Sequence, residues 1–282
     1  MSGDVHEFRV RILGCGSSGG VPRLGGDDGQ GDWGVCDPSE PRNRRTRCSV
    51  LVERRHPETR FDDRNAVTSV LVDTSPDMRE QLLVAGCARL DAVLITHHHA
   101  DQTHGLDDLR AMVHRMKKRM PVWIDRDTAG ELLHRFSYCF RQPEGSWYPP
   151  ILEEVPMPAM GKTRQIDGPS GEVPFTPFLQ GHGPVDSLGF RFGTMAYSSD
   201  VHELPAESFD LLEGLDLWIV DALQIKPHGT HAHLEKTLGW IERLKPRRAV
   251  LTNLHNSMDY RTVSKLLPEH VVAAYDGMEL SF

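Results

Sequence analysis

Short apolar runs rich in β-branched residues recur along the chain and alternate with polar or amphipathic stretches. Runs of about four to eight such residues predict buried strands, whereas apolar residues spaced by three and four predict helices. Helical spacing occurs at 128–136 and 234–244. Strands are predicted at 8–13, 48–53, 69–73, 92–95, 121–125, 151–155, 163–167, 173–181, 188–198, 217–221 and 248–254. This mixture, undivided by a linker, predicts a single α/β domain over residues 1–282.

One predicted strand leads directly into a polar cluster. The run 92–95 is apolar, and His97, His99 and Asp101 follow at alternate positions. Alternate side chains on an extended backbone point to the same side, so two imidazoles and a carboxylate would face one point. From Thr103 the apolar residues recur at helical spacing. The cluster is therefore predicted on a strand-to-helix turn, and its residue types predict a metal site rather than surface histidines on a loop.

Composition and charge narrow the class of protein. The 282 residues are 39% hydrophobic and carry a net charge of −8, which argues against a broad nucleic-acid-binding surface. Five cysteines without a Cys-x-x-Cys pair fit reduced thiols in a cytoplasm. No apolar segment approaches the ~20 residues of a membrane span, and the N-terminal residues lack a signal-peptide core. We expect a cytoplasmic protein that does not associate with membranes.

Polar residues suited to metal binding or proton transfer also follow other predicted strands. Any one of them could be an ordinary hydrogen-bonded residue, but their repetition at strand ends indicates a common site. They are His182 and Asp200, which join His97, His99 and Asp101. Asp221 and the segment Asn253-Leu-His255 also end predicted strands, and His231 and His233 precede the helix at 234–244.

The segment Thr96-His-His-His-Ala-Asp-Gln-Thr-His-Gly105 resembles the Thr-His-x-His-x-Asp-His-x-x-Gly motif of the metallo-β-lactamase fold. The resemblance extends to the PhnP-type phosphodiesterases, which open cyclic ribose phosphates. It is carried by a glycine-rich loop that ends in Gly20-Val-Pro22 and by Asp276-Gly-Met-Glu-Leu280 near the C-terminus. The resemblance implies a four-layer αββα sandwich, with two mixed sheets face to face and the site at one edge.

The resemblance also implies a set of metal ligands. By it, His97, His99 and His182 hold one ion, Asp200 bridges two ions, and Asp101 belongs to the second. This chain departs from the pattern because Gln102 and Asn253 stand where the family has histidines. Carboxamides are weaker ligands than imidazole, so the second site should favour oxygen-preferring ions such as Mn²⁺ or Mg²⁺. We expect one or two divalent ions per chain, Mn²⁺ or Zn²⁺.

Two further histidines could compensate for the lost ligands. His104 lies three residues beyond Asp101, and His255 lies two beyond Asn253. The hypothesis is that one or both bind metal or contact substrate. The alternative, that they cap helices or hydrogen-bond to a ligand, remains open.

The N-terminal third departs from the family in a second way. In the PhnP group this region carries several cysteines that bind a structural zinc, but here only Cys36 lies near those positions. One thiol cannot complete a four-ligand site, so no structural zinc is expected. Ser17 in the glycine-rich loop and Arg45 in an arginine-rich loop are candidate contacts for substrate phosphate. A tight turn and a solvated loop, respectively, are the alternatives.

The chemistry follows from the ions. A bound metal lowers the pKa of water and supplies hydroxide near neutral pH, which would attack phosphorus in a small cyclic or nucleotide-like phosphate. The leaving alkoxide needs a proton, and His231 or His233 is the candidate donor and substrate contact, since His231 aligns with a histidine of the PhnP group. Asp101 is a further candidate catalytic residue, and Asn253 is a further candidate contact for substrate. A capping role for either histidine remains open.

Two other functions compete with a phosphodiesterase that takes a small phosphorylated substrate or nucleotide. One is an RNA nuclease like tRNase Z, against which the acidic charge argues. The other is a non-catalytic nucleotide-binding protein with a degraded second metal site, for which Gln102 and Asn253 are the only support. The sequence leaves open the physiological substrate, the native metal and the oligomeric state, with a homodimer among the alternatives.

Overall fold

The computed structural model describes residues 7–282, which fold into two seven-stranded sheets flanked by helices. The first sheet has the strand order β14-β1-β2-β3-β4-β5-β6. Its strands are β1 (Phe8–Gly14), β2 (Ser49–Arg54), β3 (Thr68–Val72), β4 (Ala92–Leu94), β5 (Met120–Ile124), β6 (Leu152–Pro156) and β14 (Glu279–Ser281). The first and last strands therefore pair with each other in one sheet.

The second sheet comes from the later part of the chain and has the order β13-β12-β11-β10-β9-β8-β7. Its strands are β7 (Arg164–Ile166), β8 (Val173–His182), β9 (Val185–Phe192), β10 (Met195–Ser198), β11 (Leu217–Asp221), β12 (Arg248–Thr252) and β13 (Val271–Ala273). Strands β10 to β13 are parallel, whereas β9 is antiparallel to both β8 and β10. Hence β8 runs in the same direction as β10 to β12.

The helices are short and lie outside the sheets. They are α1 (Met78–Ala85), α2 (Ala100–Thr103), α3 (Arg110–Met116), α4 (Arg126–Arg135), α5 (Ser137–Phe140), α6 (Ala206–Leu211), α7 (Leu234–Leu244) and α8 (Tyr260–Ser264). Two 3-10 helices span Pro41–Asn43 and Leu106–Leu109. Within residues 7–282, none of the helices is long and apolar enough to cross a membrane.

Alternation along the strands determines the layers. In β3, Val70 and Val72 face the second sheet, and in β11, Leu217 and Ile219 face the first. These residues form the core between the sheets, as expected when successive side chains of a strand point to opposite faces. The interposed residues pack under helices instead, for example Leu71 under α1 and Trp218 under α7. Both faces of the central strands, such as β3 and β11, are buried, which produces the four layers and confirms the αββα fold.

The structure corrects the predicted elements in two places. The single strand predicted at 188–198 is two strands, β9 and β10, joined by a tight turn in which Gly193 has φ 59°. Asp101 does not lie on extended backbone, since β4 ends at Leu94 and Asp101 is in the first turn of α2. The helices α5 and α6 and the strand β13 were not predicted.

The strands that run in the same direction end at one edge of the sandwich. Among them are β3 and β4 of the first sheet and β8, β10, β11 and β12 of the second. Loops that follow parallel strands meet at one edge of a sheet, where ligand sites of α/β folds gather. Consequently, polar residues that are far apart in the sequence are brought together at this edge.

The Asp276 carboxylate joins three segments near this edge. It accepts hydrogen bonds from the Cys15 amide at 3.0 Å and from the Thr46 amide and hydroxyl, both at 2.7 Å. The neighbouring backbones approach closely, because a Cβ at Gly14 would lie 2.1 Å from the carbonyl oxygen of Arg47. The carboxylate therefore ties the glycine-rich loop and the loop before β2 to the C-terminal segment.

Replacing Asp276 by Asn should destabilise the protein by about 2 kcal/mol, because an amide cannot accept hydrogen bonds at both ends and would leave buried donors unpaired. Urea unfolding at neutral pH measures the difference. The exposed Asp210 makes no side-chain hydrogen bond within residues 7–282, so Asp210→Asn should stay within about 0.5 kcal/mol of the wild type. Equal stability of the two variants would contradict the role of Asp276.

Candidate metal centre

Three histidines meet at the edge of the sandwich. His97 and His99 lie in the loop between β4 and α2, and His182 ends β8 on the opposite sheet. The ring centroids of His97 and His99 are 4.4 Å apart, and the ring centroid of His182 lies 5.1 Å from the first and 5.2 Å from the second. One ring nitrogen from each lies within 4.8 Å of the others, a spacing that suits a shared metal ion.

A chain of hydrogen bonds fixes the orientation of His97. The Asp73 carboxylate accepts from the backbone amide and the hydroxyl of Thr96, at 2.8 Å and 3.0 Å. The Thr96 hydroxyl is 3.0 Å from Nδ1 of His97. Burial raises the pKa of Asp73, and its bonds to Thr96 oppose that rise. When Asp73 is ionised, the Thr96 hydroxyl proton goes to its carboxylate, so Nδ1 of His97 donates to the hydroxyl oxygen and Nε2 keeps its lone pair. That Nε2 is buried and has no hydrogen-bond partner, so it fits a metal ligand.

His182 also belongs to a second group of possible metal ligands, together with Asp200 and His231. Oδ1 of Asp200 is 3.9 Å from Nε2 of His182 and 3.9 Å from Nε2 of His231. His182 donates its Nδ1 proton to the carbonyl oxygen of Thr230 at 2.7 Å, which leaves its Nε2 free to bind metal. The ligand atoms of His182, Asp200 and His231 all lie within 4.8 Å of one another.

His231 is held by a buried carboxylate. Its Nδ1 donates to Oδ2 of Asp221 at 2.8 Å, and Asp221 is fully buried at the end of β11. The same carboxylate oxygen accepts from the Val201 amide at 3.1 Å. Burial lowers the pKa of His231, but the Asp221 charge and hydrogen bond outweigh it and raise the pKa to about 9. In the metal-free protein, His231 is therefore a cation whose Nε2–H is directed towards Asp200.

Burial shifts the pKa values of four other groups of the site towards their neutral forms. It lowers the pKa of His97 well below the usual value and also lowers that of His99, with neighbouring imidazoles adding to the effect. Neutral imidazoles have no proton to lose before they bind metal. Burial, followed by repulsion from Asp200, raises the pKa of Asp101 to about 6. Burial also raises the pKa of Asp200, against the attraction of His231 and His182.

Three polar residues that follow strands at this edge have left-handed backbone conformations. Asp73 has φ 64°, Asp200 has φ 52° and Asn253 has φ 59°. Asp and Asn tolerate this region better than other non-glycine residues, yet it still costs on the order of 1 kcal/mol each. Asp200 and Asn253 place their side chains in the site, and Asp73 is connected to it through the hydroxyl of Thr96. The strained turns therefore orient these side chains.

The two carboxamides lie within the site. Nε2 of the fully buried Gln102 donates to Oδ2 of Asp200 at 3.1 Å and lies 3.5 Å from Oδ2 of Asp101. The side-chain amide of Asn253 is 3.1 Å from Nδ1 of His231. Both residues therefore contact groups of the centre, although neither supplies an imidazole.

Three predicted site residues lie apart from the clustered ligand atoms. His104 is exposed and its ring lies 5.8 Å from that of Phe136. Nδ1 of His255 is 2.9 Å from the Ser257 hydroxyl. His233 occupies the position before α7 and belongs to neither group. The structure therefore does not bring these histidines together with the other ligands. Cys36, the single thiol of the expected zinc region, donates to the carbonyl oxygen of Asn256.

Two predicted phosphate contacts differ in placement. The guanidinium of Arg45 is buried and donates to the carbonyl oxygen of Met258 at 2.7 Å and to the Asn43 side chain at 3.2 Å. Both terminal nitrogens of the guanidinium donate to oxygens of the protein, whereas Nε has no partner. This corrects the expectation that Arg45 faces substrate. Ser17 lies in the loop that pairs with Leu254 through Gly16, and its buried hydroxyl has no partner. Ser17 remains a candidate contact.

Three residues that position the centre had no role predicted from the sequence. Thr96 and Asp73 orient His97, and Asp221 orients His231. Asp73 and Asp221 carry the same signal as the recognised residues, an acidic side chain at the end of an apolar strand. Their partners are 23 and 10 residues away, so the pairing could be found only from the fold.

The chain belongs to the β-lactamase superfamily. The model of a beta-lactamase superfamily domain matches residues 68–253, which contain all the clustered ligands. The chain is similar along its length to a diphosphatase of the PhnP family, with 31% identity, a TM-score of 0.80 and 98% of each chain covered. The fold and the motifs thus define a metallo-β-lactamase-fold hydrolase of PhnP type.

Two other relatives differ in what they can support. An octanoyltransferase from Porphyromonas gingivalis is 30% identical over 96% of this chain, but the chain spans only 51% of that protein. Its name thus covers a protein about twice as long. The structure of human tRNase Z, short form, aligns with a TM-score of 0.60, and the alignment covers 97% of this chain and 98% of the tRNase Z chain. At 17% identity it shows a shared fold and no more.

Replacing Thr96 by Val should weaken zinc binding about 10- to 100-fold, because the variant keeps the side-chain volume but frees the ring of His97. Competition with a chelator for Zn²⁺ measures the loss. Thr163 is exposed, and its hydroxyl is bonded to that of Thr176 at 2.8 Å rather than to a group of the site, so Thr163→Val is the matched control. Unchanged affinity in a folded Thr96→Val protein would show that the Asp73 chain does not act on the metal.

In the metal-free protein, NMR titration should place the pKa of His231 at about 9, and Asp221→Asn should lower it. The folded pKa exceeds the 6.5 of a free imidazole. The stability from this pair is therefore full below pH 6.5 and is lost as the pH rises through about 9. The pH-dependent part of the stability difference between wild type and Asp221→Asn should shrink over that window. Titration of wild-type His231 near 6.5 would contradict the pairing.

Proposed function

We propose that this protein is a divalent-metal-dependent phosphodiesterase that acts on a small cyclic or nucleotide-like phosphate. The observation that supports the substrate class most strongly is the similarity to the PhnP-family diphosphatase, which spans 98% of both chains. The partner is accordingly a small phosphorylated molecule. Mn²⁺ and Zn²⁺ are the proposed ions, since imidazole and carboxylate together suit both.

The metal is proposed to lie among His97, His99 and His182. The three rings present nitrogens to one point, and Asp200 adds a carboxylate oxygen beside them. A divalent cation bound there would lower the pKa of coordinated water and offset charge on phosphoryl oxygens. The chain supports this by orienting His97 through Thr96 and His182 through the Thr230 carbonyl.

His231 is the proposed proton donor. Hydrolysis breaks one phosphorus–oxygen bond, and an alkoxide leaving group must take up a proton as the bond breaks. Asp221 holds the Nδ1 proton of His231, so the proton on Nε2 is the one free to transfer. After transfer the neutral imidazole can recover a proton from water.

Neither competing function gains specific support. The similarity to tRNase Z extends to the fold alone, and the net charge of −8 offers no general attraction for a long RNA. A protein that only binds nucleotides would have no need of an imidazole held by a buried carboxylate beside the metal ligands. Binding without turnover nevertheless is the result that would favour it.

Replacing His231 by Asn should slow hydrolysis of a 2′,3′-cyclic nucleotide by about 10²- to 10⁴-fold, but slow bis(p-nitrophenyl) phosphate by less than ~10-fold. The alkoxide of the ribose is strongly basic and needs the proton, whereas p-nitrophenolate leaves without one. Steady-state kcat for both substrates, with Mn²⁺ or Zn²⁺ present, tests the proposal.

Two variants complete the experiment. His99→Ala removes a ligand and should abolish hydrolysis of both substrates, whereas His114→Asn alters an exposed histidine of α3 and should change neither. Wild-type protein that binds nucleotides but hydrolyses no phosphodiester would overturn the enzymatic proposal. Equal slowing of both substrates by His231→Asn would exclude His231 as the donor.

A further inference from the structure

Gln102 occupies the position at which the family motif has a metal-binding histidine. Its Nε2 donates to Oδ2 of Asp200 at 3.1 Å and approaches Oδ2 of Asp101 at 3.5 Å. Gln102 is fully buried, and its amide contacts the two carboxylates that would bind a second ion by the family pattern. The neutral amide of Gln102 thus contacts the two carboxylates that the family pattern assigns to the second metal ion.

The amide of Gln102 substitutes for part of what a cation would do. Its two N–H groups can satisfy one oxygen of each carboxylate and reduce their repulsion. An amide nitrogen cannot bind a metal, because its lone pair is delocalised into the carbonyl group. If the amide turned, Oε1 could become a ligand, but it would then face two carboxylate oxygens and lose both N–H contacts.

The remaining groups do not complete a second site. The Asn253 amide, at the other altered position, contacts Nδ1 of His231 rather than the carboxylates. His104 is exposed beside Phe136, and His255 is engaged with Ser257. Nε2 of His231 lies 3.9 Å from Asp200, but the ligand atom of His231 clusters with that of His182 and not with that of Asp101. Around Asp101 the only protein ligand left to share a second ion, among residues 7–282, is therefore Asp200, and two ligands are fewer than the three or four protein ligands of metal sites with lasting affinity.

We infer that this chain builds a mononuclear centre, with one divalent ion among His97, His99, His182 and Asp200 and with the Gln102 amide joining Asp101 to Asp200 in place of a second ion. The inference concerns the number of ions and does not depend on the substrate. It would stand if the proposed phosphodiesterase activity were absent.

Two measurements on the full chain test the number of ions. After loading with Zn²⁺ and desalting, elemental mass spectrometry should find one ion per chain. At saturating Mn²⁺, electron paramagnetic resonance of the bound ion should show an isolated six-line spectrum. Two retained zinc ions, no retained zinc, or the spectrum of a spin-coupled manganese pair would each overturn the inference.

A paired substitution tests the cause. Gln102→His with Asn253→His restores both imidazoles and should raise the zinc content to two ions per chain. The matched control, Gln102→Ala with Asn253→Ala, removes both amides without adding ligands and should remain at one. A folded double-histidine variant that still holds one ion would show that other residues limit the site and would overturn the assignment. If that variant does not fold, the wild-type spectrum decides.

Discussion

The centre depends on a buried imidazole nitrogen that the protein itself does not satisfy. Asp73 and Thr96 fix the ring of His97 so that Nδ1 is a donor and Nε2 is left with its lone pair inside the core. An unpaired buried polar atom costs about 1–3 kcal/mol, and a metal ion removes this cost. The fold therefore orients this ligand before the metal binds. The unpaired nitrogen lowers the stability of the metal-free protein, and metal binding restores that stability.

The same constraint explains why the site needs both sheets. His97 and His99 come from the first sheet, whereas His182, Asp200 and the pair of His231 with Asp221 come from the second. The core between the sheets sets the distance between the two halves, since the inward faces of β3 and β11 pack in one cluster. Cavities in this core would disturb the ligand geometry as well as the stability.

The sequence revealed the fold and most ligands, because both depend on local patterns. The alternation in 92–101 located His97 and His99, and the strand-end pattern located His182 and Asp200. The failures concern contacts between distant residues. The extended backbone was predicted too far, since β4 ends three residues before His97 and Asp101 lies on a helix. The guanidinium of Arg45 donates to a carbonyl group more than two hundred residues away in the sequence. Spacing alone could not separate His231, which meets Asp221, from His233, which does not.

X-ray diffraction from a zinc-soaked crystal, recorded across the zinc absorption edge, tests the central claim most directly. The anomalous map should show a peak within about 2.1 Å of a ring nitrogen of His97, His99 and His182. A strong peak bound by other residues, or the absence of any peak at this site in a zinc-saturated crystal, would contradict the assignment of the metal centre.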